Sequence, residues 1–340
     1  MMTTNRRQPF QGISIPLPNT PNIKRRYSVT QDIVSFRRCA RQYGTFNVHK
    51  YSPAYQTQAY FGTILHQVLD RCHTHFHGKI DPSTKGSLPD NGNIISDQEI
   101  EEYFGALKEA EELETIPPAP PSEIIQYFIK VENGLKSQGI KAITQDMRVK
   151  AVRLLQYFNA LEGLTLYPRV KDTEHRLQAD RTNHILHGVV DLLVDSGHLH
   201  ANPADCEMWD YKGKSLVGVS PKELESYEFQ MRVYAKLYEL KHGVLPKKAI
   251  LYFLNELDGS NCPSQRPENA LLAVSITPNE IDNAVNEFAQ TVSEIEQARL
   301  TDQWNPAIPG NISEKDCAIC DLRWDCLTPN NGKGTQMRYP

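Results

Sequence analysis

The segment MWDYKGKS places Asp210 and Lys212 two residues apart in a strand-like run. Period-two alternation puts both on one face, with Tyr211 pointing away. A second carboxylate, Asp191, stands between Gly188-Val189-Val190 and Leu192-Leu193-Val194, where a lone acid is costly unless paired or metal-bound. His66 lies one helical turn beyond Gly62. Two carboxylates and an imidazole suit Mg²⁺ or Mn²⁺, with water and the Tyr211 carbonyl completing the shell; the nitrogen donor favours Mn²⁺. Such an ion polarises a phosphate oxygen and acidifies bound water, while Lys212 orients that water or neutralises charge developing on phosphorus. Plainer readings exist for each residue. His66 fits a packed or surface histidine, Asp210 and Lys212 a strand-end ion pair, and Asp191 an edge carboxylate.

A second set is split between the two ends. Cys39 stands alone in SFRRCARQY, and Cys317, Cys320 and Cys326 share CAICDLRWDC. Spacing alone leaves zinc, an iron–sulfur cluster and unrelated buried thiols open. Phe36, Tyr43, Leu322 and Trp324 are available to shelter a centre there. Cys72, Cys206 and Cys262 have no metal pattern and read as packing or surface thiols.

The elements that would position these residues follow from periodicity. TQDIVSFRRC reads as a short helix with Thr30 as its cap, and FGTILHQVLDRCHTHFHG as a longer one carrying His66. An acidic helix around 97–114 precedes a break at IPPAPPSE, and 122–136 and 144–161 are further helices. TEHRLQAD, HILHGVVDLLVD and CEMWDYKGKS are successive strands. A long helix begins at Ser220-Pro221, KKAILYFLNEL is a strand, and PNEIDNAVNEFAQTVSEIEQARL is a helix. Neither a dinucleotide-binding nor an ATP-binding glycine motif is present. The chain divides into a flexible basic arm (1–26), a helical segment with the first cysteine and the GxxxH helix (27–78), a helical insertion (79–165), a core (166–300), a cysteine segment (301–326) and a tail (327–340).

In this order the motifs resemble those of the PD-(D/E)XK nuclease superfamily, nearest its RecB-type and CRISPR-adaptation-type iron–sulfur exonuclease branch. Gly62 and His66 match the GxxxH helix, Asp191 the motif aspartate, and Asp210-Tyr211-Lys212 the D/E-x-K motif. Gln230 and Tyr234 match the QxxxY helix. The resemblance implies an α/β restriction-endonuclease-like core, a mixed central sheet flanked by helices, with a helical insertion. It makes Lys212 the catalytic lysine, has Gln230 and Tyr234 position motif and substrate, and has His66, Asp191, Asp210 and Tyr211 hold the metal. Glu174 is a weaker match to an accessory acid. It also implies a [4Fe–4S] cluster on Cys39, Cys317, Cys320 and Cys326, stapling the terminal segments. Arg38 replaces the proline that family members often carry before the first cysteine.

The implied activity is metal-dependent hydrolysis of DNA, chiefly as an exonuclease on single strands or ends, with endonuclease activity open. Repair, recombination, CRISPR adaptation and antiviral defence all suit it. Alternatives are a catalytically idle nuclease-fold adaptor or DNA-binding subunit, and a zinc-stapled endonuclease. The chain has 41 acidic and 37 basic residues, yet residues 1–60 hold nine Lys or Arg against one Asp. That segment, including Arg25, Arg26, Arg37, Arg38 and Arg41, is the expected phosphate track, with Tyr55, Tyr60 and Trp209 as candidate stacking residues. The expected partners are DNA and a helicase or other repair or defence protein. No run of about 18 apolar residues exists and MMTTNRRQPFQG is not a signal peptide, so the expectation is a cytoplasmic protein without membrane contact; oligomeric state is left open.

Overall fold

A computed structural model describes residues 24–51, 57–81, 83–139, 144–195, 202–307, 317, 320–323 and 326. Strand β1 (Arg25–Ser28) leads into a π-helical turn (Val29–Val34), then α1 (Ser35–Arg38), α2 (Ala40–Tyr43), a second π-helical turn and α3 (Thr57–Phe76). Three helices follow: α4 (Asp97–Glu112), α5 (Glu123–Ser137) and α6 (Gln145–Leu166). The core then runs β2 (Val170–Asp180), β3 (His184–Val194), β4 (Glu207–Lys212), α7 (Pro221–His242), β5 (Lys248–Phe253), β6 (Leu271–Val274) and α8 (Pro278–Thr301).

The six strands form one mixed sheet. β2 is antiparallel to nearly the whole of β3. The other side of β3 is shared: β1 runs parallel to its start, Arg25↔His184 to Ser28↔His187, and β4 antiparallel to its end, Leu192↔Trp209 to Val194↔Glu207. β5 lies parallel to β4, and β6 antiparallel to β5. Between the β1 and β4 pairings, Gly188 to Asp191 face a fork in the sheet.

Each face of the sheet has its own core. Leu192, Val194, Trp209, Tyr211, Ile250 and Tyr252 pack against α3–α6. Leu186, Val190, Met208, Leu251 and Phe253 pack against α7 and α8. Val190 and Leu192, two apart, should share a face, yet they fall in opposite cores. The strand therefore turns over at Asp191. Its neighbour on β2 bends there too, since Glu174 adopts a left-handed φ of 47°, a conformation that costs a non-glycine residue about 1 kcal/mol or more.

Helix ends are set by the residues the sequence offers. Ser220 accepts from the Glu223 N–H with Pro221 at the first turn of α7, and Gly243, at φ 77°, closes that helix. α4 and α8 carry capping boxes, Ser96 with Glu99 and Thr277 with Glu280. The first cap is Ser28 rather than the expected Thr30: its Oγ accepts from Gln31 N, so Thr30 already lies inside the turn. β1 and β6 had no sequence expectation, because four-residue edge strands carry too little alternation to read. Among the described residues no helix is long and apolar enough to cross a membrane.

The iron–sulfur staple is corrected. Cys39, Cys317, Cys320 and Cys326 are all described and none is in a disulfide. Among the described residues no group of three or more His, Cys, Asp or Glu side chains could hold a metal ion, so the [4Fe–4S] cluster has no site. Cys39 is buried. The Cys320 sulfur accepts instead from Gln42 Nε2 at 3.0 Å and from the Leu322 N–H at 3.4 Å. The C-terminal segment thus meets α2 through a hydrogen bond to a thiol. Trp324 lies outside the described residues.

Candidate active site at the sheet fork

The fork brings Asp191, Asp210 and Lys212 together with His66 from α3 and Gln230 and Tyr234 from α7. Asp191 Oδ2 accepts the Tyr211 N–H at 2.8 Å and lies 3.2 Å from His66 Nδ1. The ladder is interrupted where β4 leaves β3, so this side chain satisfies a backbone donor that β3 no longer reaches. Asp210 is buried; its Oδ1 accepts from Gln230 Nε2 at 2.8 Å and its Oδ2 lies 2.6 Å from the Lys212 ammonium. Lys212 also donates to Gln230 Oε1 at 3.0 Å and sits 4.3 Å from the centre of the Tyr227 ring. Gln230 in turn donates to the Tyr234 hydroxyl at 3.2 Å. One amide therefore holds carboxylate, ammonium and phenol in a single network.

The two carboxyls are driven apart in acidity. Burial alone would raise Asp191, but the His66 charge and hydrogen bonds from His66 and the Tyr211 N–H bring it below the usual range. Burial raises Asp210, opposed by Lys212 and reinforced by the charge on Asp191. Burial would lower His66, but the charge and hydrogen bond of Asp191 outweigh it and push the ring up to about 9. Near neutral pH His66 is therefore an imidazolium, and Asp191 is its counter-ion.

This arrangement corrects the expected Mg²⁺ or Mn²⁺ site. Asp191 Oδ2 is engaged by the Tyr211 N–H and His66, and the Asp210 oxygens by Gln230 and Lys212. Among the described residues no three-membered ligand set exists. The Tyr211 group facing Asp191 is its N–H.

Several contributors carried no sequence expectation. A Cβ on Gly188 would lie 2.3 Å from Cε1 and 2.8 Å from Cδ1 of Tyr234, so the glycine admits the ring that ends the Gln230 network. Tyr211, buried as its parity requires, donates or accepts at 2.8 Å with His73 Nε2; burial lowers that histidine to about 3, against a weak opposing pull from Asp191. His73 lies two helical turns beyond His66, and that spacing was the available signal. Tyr60 and Trp209 are core side chains, not stacking platforms, and Tyr55 lies outside the described residues. The basic N-terminal residues are spent on the fold: Arg25 pairs with Glu296, Arg37 with Glu287 at 2.7 Å, and Arg26 donates to Gln178.

His66, Asp191 and Glu174 open onto a cleft of about 1250 Å³, walled along one side by α3 and bordered by Tyr127 of α5. Residues 26–327 match the family model for this architecture and motif order. The chain belongs to the PD-(D/E)XK nuclease superfamily. The match spans both the helical insertion and the sheet core. Among solved structures, this superfamily member is similar to a protein from Eubacterium rectale described as a candidate exonuclease: 11% identity, 82% of this chain and 83% of that chain covered, TM-score 0.39. Comparison with curated proteins returned no match.

Proposed function

We propose that this PD-(D/E)XK chain is a deoxyribonuclease that hydrolyses phosphodiester bonds at the sheet fork, acting as an exonuclease on single strands or ends. The observation that carries the reading is the pairing of buried Asp210 with Lys212, next to Asp191, which is held by His66 and the Tyr211 N–H on the wall of a cleft of about 1250 Å³. That volume exceeds the roughly 300–1,000 Å³ of small-ligand pockets and suits a polymer segment. Burying the Asp210 carboxylate, with the Lys212 ammonium and Asp191 mostly shielded beside it, is expensive, which is unrewarding for an idle scaffold.

In this reading Lys212 stabilises negative charge gathering on the phosphoryl oxygens. Asp191, held ionised by His66, and Asp210, whose pKa is raised by burial, divide the proton handling of the attacking water. Gln230 and Tyr234 are positioning residues that fix Lys212 and Asp210 relative to each other. The finer placement within the superfamily, nearest the RecB-type nucleases, belongs to the same proposal and is supported by the four motifs in order. The test is cleavage of end-labelled linear and circular DNA by wild type and by Lys212→Ala. Loss of turnover in the variant, with the fold retained, is expected.

A further inference from the structure

The cleft is lined by three carboxylates, Asp70, Glu174 and Asp191, which repel an entering polyanion. Attraction has to come from elsewhere on the wall. Arg25, Arg26 and Arg37 face α8 and β2 rather than the cleft. The same cleft is also lined by Arg71, His75, His77 and Lys79, with Tyr127 among its lining residues.

We infer that Arg71, His75, His77 and Lys79 form a phosphate track, with Tyr127 as a base platform, that binds an unpaired polynucleotide strand leading away from the fork. The inference rests on the nuclease reading only for the location of the scissile bond. Arg71 and His75 lie four apart on α3 and share a face; Lys79 follows the helix end, its Nζ 3.3 Å from His75 Nε2. Among the described residues neither Arg71 nor Lys79 forms a salt bridge with a carboxylate, unlike Arg25 or Arg37. At 1.5 Å per residue, Arg71 lies about 7.5 Å and His75 about 13.5 Å along the helix from His66. With phosphates about 3.4 Å apart along a B-form strand and wider in an extended one, these side chains meet phosphates roughly two to four positions from the one being cut. Tyr127 is half-buried, its ring 6.1 Å from His75 and 6.0 Å from Lys130 Nζ. A ring face beside Arg71, Lys79 and hydrogen-bonding imidazoles is the arrangement that stacks an unpaired base while its backbone is held.

The test is fluorescence anisotropy with a labelled 12-nucleotide single strand across a salt series, using full-length Lys212→Ala protein so that the probe stays intact. Arg71→Ala/Lys79→Ala should lower affinity tenfold or more and reduce the slope of log affinity against log salt by about 1.4, at ~0.7 per phosphate contact on a single strand. Tyr127→Ala should weaken single-strand binding about tenfold with the salt slope unchanged. Thermal melts check folding, and Arg71→Gln with Lys79→Gln replaces the alanine pair if that pair melts early. An unchanged affinity and slope in the Arg71/Lys79 variant overturns the track. Tighter binding of duplex, insensitive to Tyr127→Ala, overturns the single-strand assignment. Cleavage by wild type with an unchanged salt slope in the variant removes the track and leaves the nuclease reading; track-dependent binding without wild-type cleavage does the reverse.

Discussion

Gly188→Ala should be the most damaging single-methyl change in the site. The added carbon would stand 2.3 Å from Cε1, 2.8 Å from Cδ1 and 3.3 Å from Cζ of Tyr234, where carbon atoms normally rest about 3.5–4.0 Å apart. The ring must move by more than about 1 Å. It has little room, being buried in the α7–α8 core and tied by its hydroxyl to Gln230. Overpacking of this kind costs about 1–3 kcal/mol, and the displaced hydroxyl loses a hydrogen bond worth about 1 kcal/mol, so a loss of about 2–4 kcal/mol is expected. Urea unfolding measures it. The double variant Gly188→Ala/Tyr234→Leu should cost at least about 1 kcal/mol less than the sum of its singles, since removing the ring relieves the clash. Gly62→Ala is the contrast: a Cβ there meets nothing within 4 Å, and mid-helix alanine stabilises by up to about 1 kcal/mol. A Gly188→Ala protein within about 0.5 kcal/mol of wild type, or strict additivity in the double variant, refutes the packing argument.

His66→Gln should cost about 1 kcal/mol near pH 5–6, because this pair is only partly shielded from water. Since the folded ring titrates at about 9, above its ordinary value, the wild-type advantage is full below the unfolded value and fades as pH rises through about 9. The lowered Asp191 sets the acid side, where the advantage is lost as pH falls below the ordinary carboxylate range. A gap in melting midpoint that widens from pH 6 to pH 9 contradicts the pairing. His73→Phe should destabilise by about 1–3 kcal/mol by leaving the buried Tyr211 hydroxyl without its partner, and adding Tyr211→Phe should recover part of it; chemical denaturation of the three proteins checks this. Arg266→Ala should cost about 2–3 kcal/mol, because buried Glu162 then keeps only the Tyr252 hydroxyl. A urea midpoint unchanged from wild type would show that Glu162 is compensated by another route.

The helices and the long strands were legible because their apolar spacing is regular: the stripe in ILHQVLDRC and the alternation in CEMWDYK each dictate one face. Ser220 with Pro221 marked the start of α7. Of the residues singled out by type, Asp210, Lys212, Gln230 and Tyr234 share one network, and Asp191 is held next to it by His66 and the Tyr211 N–H. How they meet was not legible. That His66 serves Asp191 as a cation depends on burial and on a 3.2 Å approach that no spacing encodes. The turnover of β3 at Asp191 depends on Glu174, whose left-handed backbone is unforeseeable in a glutamate. The cysteines misled because identical spacing serves metal ligands and ordinary thiols alike, and the separation of their sulfurs is a tertiary property. The basic N-terminal run misled for a related reason: its guanidinium groups found carboxylates on α8.

The central claim is that Asp191, Asp210 and Lys212 form one hydrolytic site. Its most direct test is the cleavage rate of end-labelled single-stranded DNA by wild type, Asp191→Asn and Lys212→Ala, purified in parallel and assayed with and without added divalent salt. The account predicts cleavage by wild type and a loss of at least about 100-fold in each variant, the scale expected when a transition-state contact is removed, with melting profiles showing folded protein. Wild-type rates in folded Asp191→Asn protein, with contaminating nucleases excluded by a mock purification, would contradict it.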